Sequence, residues 1–152
     1  MITARHVVLR FSGQMFSVDD PMARHQKLLS EIGEVWFGKM GKTLGWNHVR
    51  AMNEQCADGI ATYVYFVEKT RKGQLVYRGT VSQVSRERPS DDEKVPRYYN
   101  FAKLFPYIKV WFLLTDLRRV DAEVLAKLRI ATSGFPVSET LHVSMAAMFI
   151  VH

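Results

Sequence analysis

Hydrophobic and polar positions alternate along this chain in two periods. His6 to Phe11 is rich in branched residues and predicts a first strand, ended by Ser12-Gly13. Asp19-Asp20-Pro21 supplies an N-cap with proline at the first helical position, and Met22, His25, Leu29 and Ile32 follow at helical spacing before Gly33. The spacing predicts a helix over 21–32. Glu34 to Met40 predicts a short strand running into a loop punctuated by Gly38, Gly41 and Gly45, and 45–57 predicts a helix burying Val49, Met52 and Cys56. Thr62 to Glu68 alternates most cleanly. It turns at Lys72-Gly73 and returns as Gln74 to Ser85, a hairpin. Residues 86–95 read as a polar, mobile loop, and 97–105 fits no single period. Tyr107 to Leu114 predicts another strand, Asp121 caps a helix over about 122–129 with Val120 and Leu125 placed as a staple, and Glu139 to Val143 reads as a short helical turn. Met145 to Val151 predicts the last strand.

Strands that only partly alternate with helices, around a central hairpin, point to an α+β domain with a strongly curved sheet rather than a doubly wound nucleotide fold. The 152 residues are expected to form one domain. They stop one residue after an apolar run, and the expectation is a domain cut from a longer polypeptide. No run approaches the length of a membrane span. The start lacks a signal-peptide core, and the single cysteine excludes an intramolecular disulfide framework. A reducing, cytoplasmic or nuclear setting is expected, cytoplasmic first, without a membrane partner.

Charge changes the picture. The chain carries a net +6, and residues 69–109 hold ten bases against four acids, so the remainder is neutral. A basic middle interleaved with aromatic residues is what a polyanion-binding surface looks like; a solvated lysine-rich hairpin is the plainer alternative. Enzymatic motifs are weak. Gly41-Lys42-Thr43 lacks the register of a phosphate-binding loop, and His6, His25, His48, His142 and His152 have no metal-ligand spacing. His25 reads as a tolerated surface or boundary residue and Cys56 as core. No catalytic residue, metal or cofactor is expected. In the strands at 62–68 and 107–114, one face is aliphatic or phenyl, while the other carries Tyr63 and Tyr65, or Tyr107, Lys109 and Trp111. Rings with a polar handle suit a half-wet pocket where a base stacks, or a second small core under a helix.

The run Gly33-Glu34-Val35-Trp36-Phe37-Gly38-Lys39, a helix, the Tyr-Val-Tyr-Phe-Val strand and the return Tyr77-Arg78-Gly79-Thr80-Val81 together resemble an EVE-type domain of the PUA superfamily, which also holds the ASCH and YTH domains. The later strand and helix over 110–128 and the closing Ser144-Met145 to Val151 are similar in layout. The first helix lacks the family's early tryptophan, and Ser133-Gly134-Phe135-Pro136 has no counterpart. The resemblance implies a small curved β-barrel flanked by helices that binds nucleic acid and holds a modified base in an aromatic cage. It further implies DNA ahead of RNA, in modification-dependent restriction or defence, with a fused or associated nuclease or NTPase motor. Trp36 matches the cage motif best; Trp46 and Trp111 come next.

The base pocket is thus expected among Trp36, Trp46, Trp111, Tyr63 and Tyr65, with Asn47 and Ser133 reading the base edge. Lys39, Lys42, Arg71, Lys72, Arg86, Arg88 and Arg97 are the expected phosphate contacts. Two alternatives stay open. One is a small ASCH-like hydrolase of RNA or nucleosides using Lys39, Thr43 and Glu68. The other is a protein-interaction module using exposed aromatics.

Overall fold

The computed structural model describes residues 4–11, 14–15, 18–70, 73–131, 133–137 and 148–152. Six strands form one mixed sheet in the order β4-β7-β6-β5-β1-β8. They are β1 (His6–Arg10), β4 (Val35–Met40), β5 (Tyr63–Thr70), β6 (Gly73–Ser85), β7 (Ile108–Val120) and β8 (Met148–Val151). A two-stranded ribbon of β2 (Gln14–Met15) and β3 (Val18–Asp19) leads into α1 (Pro21–Ile32), and α2 (Trp46–Ala57) links β4 to β5. β1 pairs parallel with β5, and every other pairing in the sheet is antiparallel. The architecture is α+β. Among the described residues β4 and β8 are both edges, so the curved sheet does not close into a complete barrel.

The two predicted helices form where their signals lie. The Asp20 carboxylate accepts from the Ala23 amide, Pro21 follows, and Gly33 ends α1 at φ +86°. Ile32, placed by spacing on the buried face, is 44% exposed. It is the last residue of the helix, where the buried face runs out into Gly33. In α2, Val49, Met52 and Gln55 are buried and Cys56 half-buried, its thiol donating to the Val81 carbonyl.

The strand alternation sorts the core. Val7, Leu9, Phe37, Val64, Phe66, Val110, Phe112 and Leu114 face inward and pack with Met22, Val49 and Met52 of the helices. Two smaller clusters cover the outer face. Val8, Tyr65, Val67 and Val76 lie under Leu125, Leu128 and Val137. Trp36, Trp111 and Leu113 lie under Val95, Tyr98, Tyr99 and Leu104.

The later elements depart from the sequence reading. β7 runs to Val120, and Tyr107 belongs to a 3-10 turn before it instead of sharing a strand face with Trp111. The segment at 122–129 is two turns of 3-10 helix over Ala122–Lys127, which lay Leu125 on the outer face. Residues 86–95 are pinned rather than mobile: the Trp36 indole donates to Asp91, and Lys94 reaches Glu34 at 3.3 Å and Asp91 at 3.5 Å. Tyr98–Phe101 (α3) is a single helical turn. The turn expected over 139–143 lies outside the described residues, as do 145–147 of the last strand.

Gly38 sits inside β4, not in the loop after it. A Cβ there would lie 2.8 Å from two carbons of Ile108 and 3.0 Å from the Trp111 ring. Gly38→Ala is therefore expected to lower stability by about 1–3 kcal/mol through overpacking, read as a lower denaturant midpoint at unchanged slope.

Candidate functional site

β4 ends where β7 begins and β6 ends: Met40 pairs with Ile108, Lys39 with Val110, and Ser85 with Trp111. The loop after β4 is fastened to the turn before β7. The Gly41 amide donates to the Tyr107 carbonyl, and the Thr43 hydroxyl donates to the Lys109 carbonyl. Three short pairings thus gather Lys39, Lys42, Trp46, Arg86, Arg88, Phe105, Tyr107 and Lys109 at one end of the sheet.

Two arginines in this set lie on aromatic faces. The Arg86 guanidinium is 4.5 Å from the centre of the Trp46 ring, which is 54% exposed, and that of Arg88 is 3.7 Å from the centre of Phe105. Such stacks fix a cation and a ring side by side at the surface. Arg88 also approaches Asp92 at 3.7 Å, an exposed pair worth little. Lys39 donates to the Met40 carbonyl, and burial together with the Lys42 charge pulls its pKa down.

Beside this end, a cleft of about 270 Å3 opens between Arg88, Asp92, Arg97, Asn100 and Phe105, with Val95 and Pro96 as apolar wall. That is near the lower bound for small-molecule pockets and matches a single ring system with its substituents. Val95 and Phe105 pack in turn on the Trp36–Trp111 cluster. A larger groove of about 550 Å3 lies between α1 and 92–98. Its three cations, Arg24, Lys27 and Arg97, balance three acids, Glu31, Asp92 and Glu93.

A buried hydrogen-bond chain locks α1, α3 and β4 together. His25 is fully buried and donates from Nδ1 to the Pro21 carbonyl at 2.6 Å. Its Nε2 is then an acceptor and takes the Tyr99 hydroxyl proton at 2.8 Å, while the Tyr99 oxygen accepts from the Gly38 amide at 3.0 Å. Every polar atom of the chain is satisfied with neutral groups. Burial holds the His25 pKa down at about 4 and drives the Tyr99 phenol well up. His25 is thus a central core residue, not a boundary one; its polarity hid a position that Tyr99 and Phe37 enclose.

The expected base-pocket residues divide among three places. Trp36 (4% exposed) and Trp111 (1%) are closed over by Tyr98, Tyr99 and Leu104. Trp36 faces opposite Val35 and Phe37, and the returning 91–107 segment covers its ring. Tyr63 and Tyr65 lie on the β5 outer face with His6 and Arg78, Tyr65 being buried. Trp46 and Asn47 are exposed at the basic end. Ser133 is exposed, its hydroxyl accepting from the Phe135 amide. No single cage joins these residues. Of the expected phosphate contacts, Lys39, Lys42, Arg86 and Arg88 gather at the basic end, with Arg97 across the cleft. Arg71 and Lys72 lie outside the described residues.

Sequence reading missed Phe105 and Asn100. Their signal was the apolar spacing of Val95, Tyr98, Tyr99 and Leu104, which marks 95–105 as a segment folded onto the sheet. The hydrolase set is split: Lys39 and Thr43 lie at the Val110 end of β7, while Glu68 pairs with Leu75 beside the Val120 end, about 33 Å of strand away. Among the described residues no group of three His, Cys, Asp or Glu stands close enough to hold a metal ion, and no helix is long and apolar enough to cross a membrane.

Among solved structures, the chain is similar to the YTH domain of the Zygosaccharomyces rouxii MRB1 protein, crystallised in complex with N6-methyladenosine RNA. The likeness covers 89% of this chain and 71% of that chain, at 14% identity and a TM-score of 0.34. No protein with a curated description matches the sequence. A family model described as Pua-like matches residues 7–152, from the first strand of the sheet through its last, so the span it recognises includes β4, the 91–107 segment and the basic end they form: the chain belongs to the PUA-like family.

Proposed function

We propose that this domain is a non-catalytic module that binds nucleic acid across the basic end of its sheet and holds one modified base in the adjoining cleft. The observation that carries the reading is the pair of arginine–aromatic stacks, Arg86 on Trp46 and Arg88 on Phe105, set among Lys39, Lys42 and Lys109. Each stack offers a phosphate contact and a flat surface for a base in one place. Membership of a family whose resemblances run to base readers supports it. The base would stack on the solvent side of the Arg88 plane, with Asn100 and Asp92 at its polar edge. An extruded base costs a few kcal/mol to unstack, so the ring contacts need those hydrogen bonds. The expected strand is DNA, on the resemblance to modification-dependent restriction modules, whose fused nuclease or motor would be the partner; matched DNA and RNA oligonucleotides carrying each common modification test that choice.

The experiment is Trp46→Ala. Loss of one stacking ring is expected to weaken binding by about 1–3 kcal/mol, roughly 5- to 150-fold, at an unchanged melting temperature, because Trp46 covers no core. Titration of the wild type should also quench tryptophan emission at the exposed Trp46. Equal affinity for wild type and W46A would exclude this end as the nucleic-acid surface.

A further inference from the structure

On the outer face, far from the basic end, Arg78 of β6 and Arg118 of β7 stand directly opposite each other in the ladder. Cross-strand partners share a face and lie close, and a like-charged pair there is destabilising unless something relieves it. Relief within the protein is partial. The Asp116 carboxylate accepts from Arg118 Nε at 2.7 Å, which leaves the terminal nitrogens of Arg118 turned to solvent. Arg78 lies 4.5 Å over the Tyr63 ring, and among the described residues it has no ion-pair partner. Its Nε is buried with no acceptor. A charged donor removed from water and left unmatched is a marked departure from normal packing.

The neighbours are donors too. His6 stacks on Tyr63 at 5.3 Å and accepts the Tyr63 amide proton at Nδ1, so its remaining ring proton sits on Nε2. We infer that Arg78 and Arg118, backed by Tyr63 and His6, form a binding site for a phosphate group. Two guanidinium forks suit an oxyanion that accepts from several directions at once. A tetrahedral phosphate offers enough oxygens for both arginines, whereas a carboxylate fills only one fork. Arg118 stands eight residues along β7 from Val110, about 26 Å from the basic end. The site is therefore separate and does not rest on the nucleic-acid reading.

The test is an amide chemical-shift titration with inorganic phosphate against chloride at equal ionic strength. A saturable phosphate response confined to His6, Tyr63, Arg78 and Arg118 is expected. Arg118→Gln changes an exposed side chain and should weaken it at least about tenfold. Arg78→Lys keeps the charge but removes the fork and should weaken it by a similar factor. A 5′-phosphorylated oligonucleotide and its 5′-hydroxyl twin distinguish the source: tighter binding of the first assigns the site to a strand end, and equal binding assigns it to free phosphate. No difference between phosphate and chloride, or a response that R118Q leaves intact, overturns the proposal.

Discussion

Trp36→Ala is expected to lower folding stability by about 3–5 kcal/mol and the melting temperature by about 10–15 °C. Trp36 is 4% exposed and lies against Val95, Tyr98, Tyr99, Leu104 and Trp111, and its indole nitrogen donates to the Asp91 carboxylate. Truncation removes a large ring from a closed cluster and takes the indole donor from Asp91, leaving Lys94 to hold that carboxylate. It also releases the segment at 91–97 that walls the cleft, so binding should weaken as a consequence of lost order. A ring that served only as an exposed stacking platform would behave oppositely, with binding lost and the melt unmoved, as expected for Trp46→Ala. Thermal melts of the two variants side by side separate these roles. A W36A melt within a degree or two of wild type would show that the 91–107 segment does not close over Trp36.

Acid should weaken this fold through His25. Its folded pKa lies at about 4, below the ordinary 6.5, because burial penalises the imidazolium. The unfolded chain therefore binds the proton more readily than the folded one between those values. Stability is fully present above pH 6.5 and falls as the pH drops toward 4, by about 3 kcal/mol for a shift of this size. The geometry agrees: a protonated ring would present a donor at Nε2 where it now accepts from Tyr99, and Tyr99 is already bound to the Gly38 amide. Other groups contribute to acid unfolding, so the measurement is a difference. Denaturant titrations at pH 7 and pH 4.5 should show His25→Gln less stable than wild type at pH 7, with a visibly smaller loss on acidification. Parallel pH profiles for the two proteins would place the titrating group elsewhere.

The elements that rest on local chemistry are legible in the sequence. Asp20-Pro21 and Gly33 bound α1, and the alternation of Tyr63 to Val67 sorts core from outer face in β5. The long-range consequences are not. Whether Trp36 is a surface ring or a core ring depends on a segment sixty residues later returning over it, and nothing in the Trp36 neighbourhood encodes that. His25 misleads for the same reason. A histidine on a helix face carries no mark of the Tyr99 hydroxyl that makes it a neutral core residue. The basic middle is visible as a count, but its partition is not. The bulges in the β6–β7 ladder and the Gly41–Tyr107 fastening bring Lys39, Lys42, Arg86 and Arg88 to one end, while Arg78 lies toward the other end of the ladder, opposite Arg118. The ASCH-like hydrolase set shows the converse. Lys39, Thr43 and Glu68 have suitable chemistry, but the length of β7 keeps them apart.

The salt dependence of binding reads whether Arg86 and Arg88 belong to a phosphate-binding surface. Removing one phosphate interaction lowers the slope of log affinity against log salt by about 0.7–0.9. Arg86→Glu with Arg88→Glu should therefore reduce the slope by about one to two, and weaken all sequences about equally, since interactions with phosphate carry no sequence information. Arg119→Glu with Lys127→Glu, exposed changes beside Val120 in β7 and in the turn that follows it, supply the control for net charge. A lowered slope is expected in the first double variant and a wild-type slope in the control. Equal slopes in all three proteins would show that Arg86 and Arg88 do not meet phosphates.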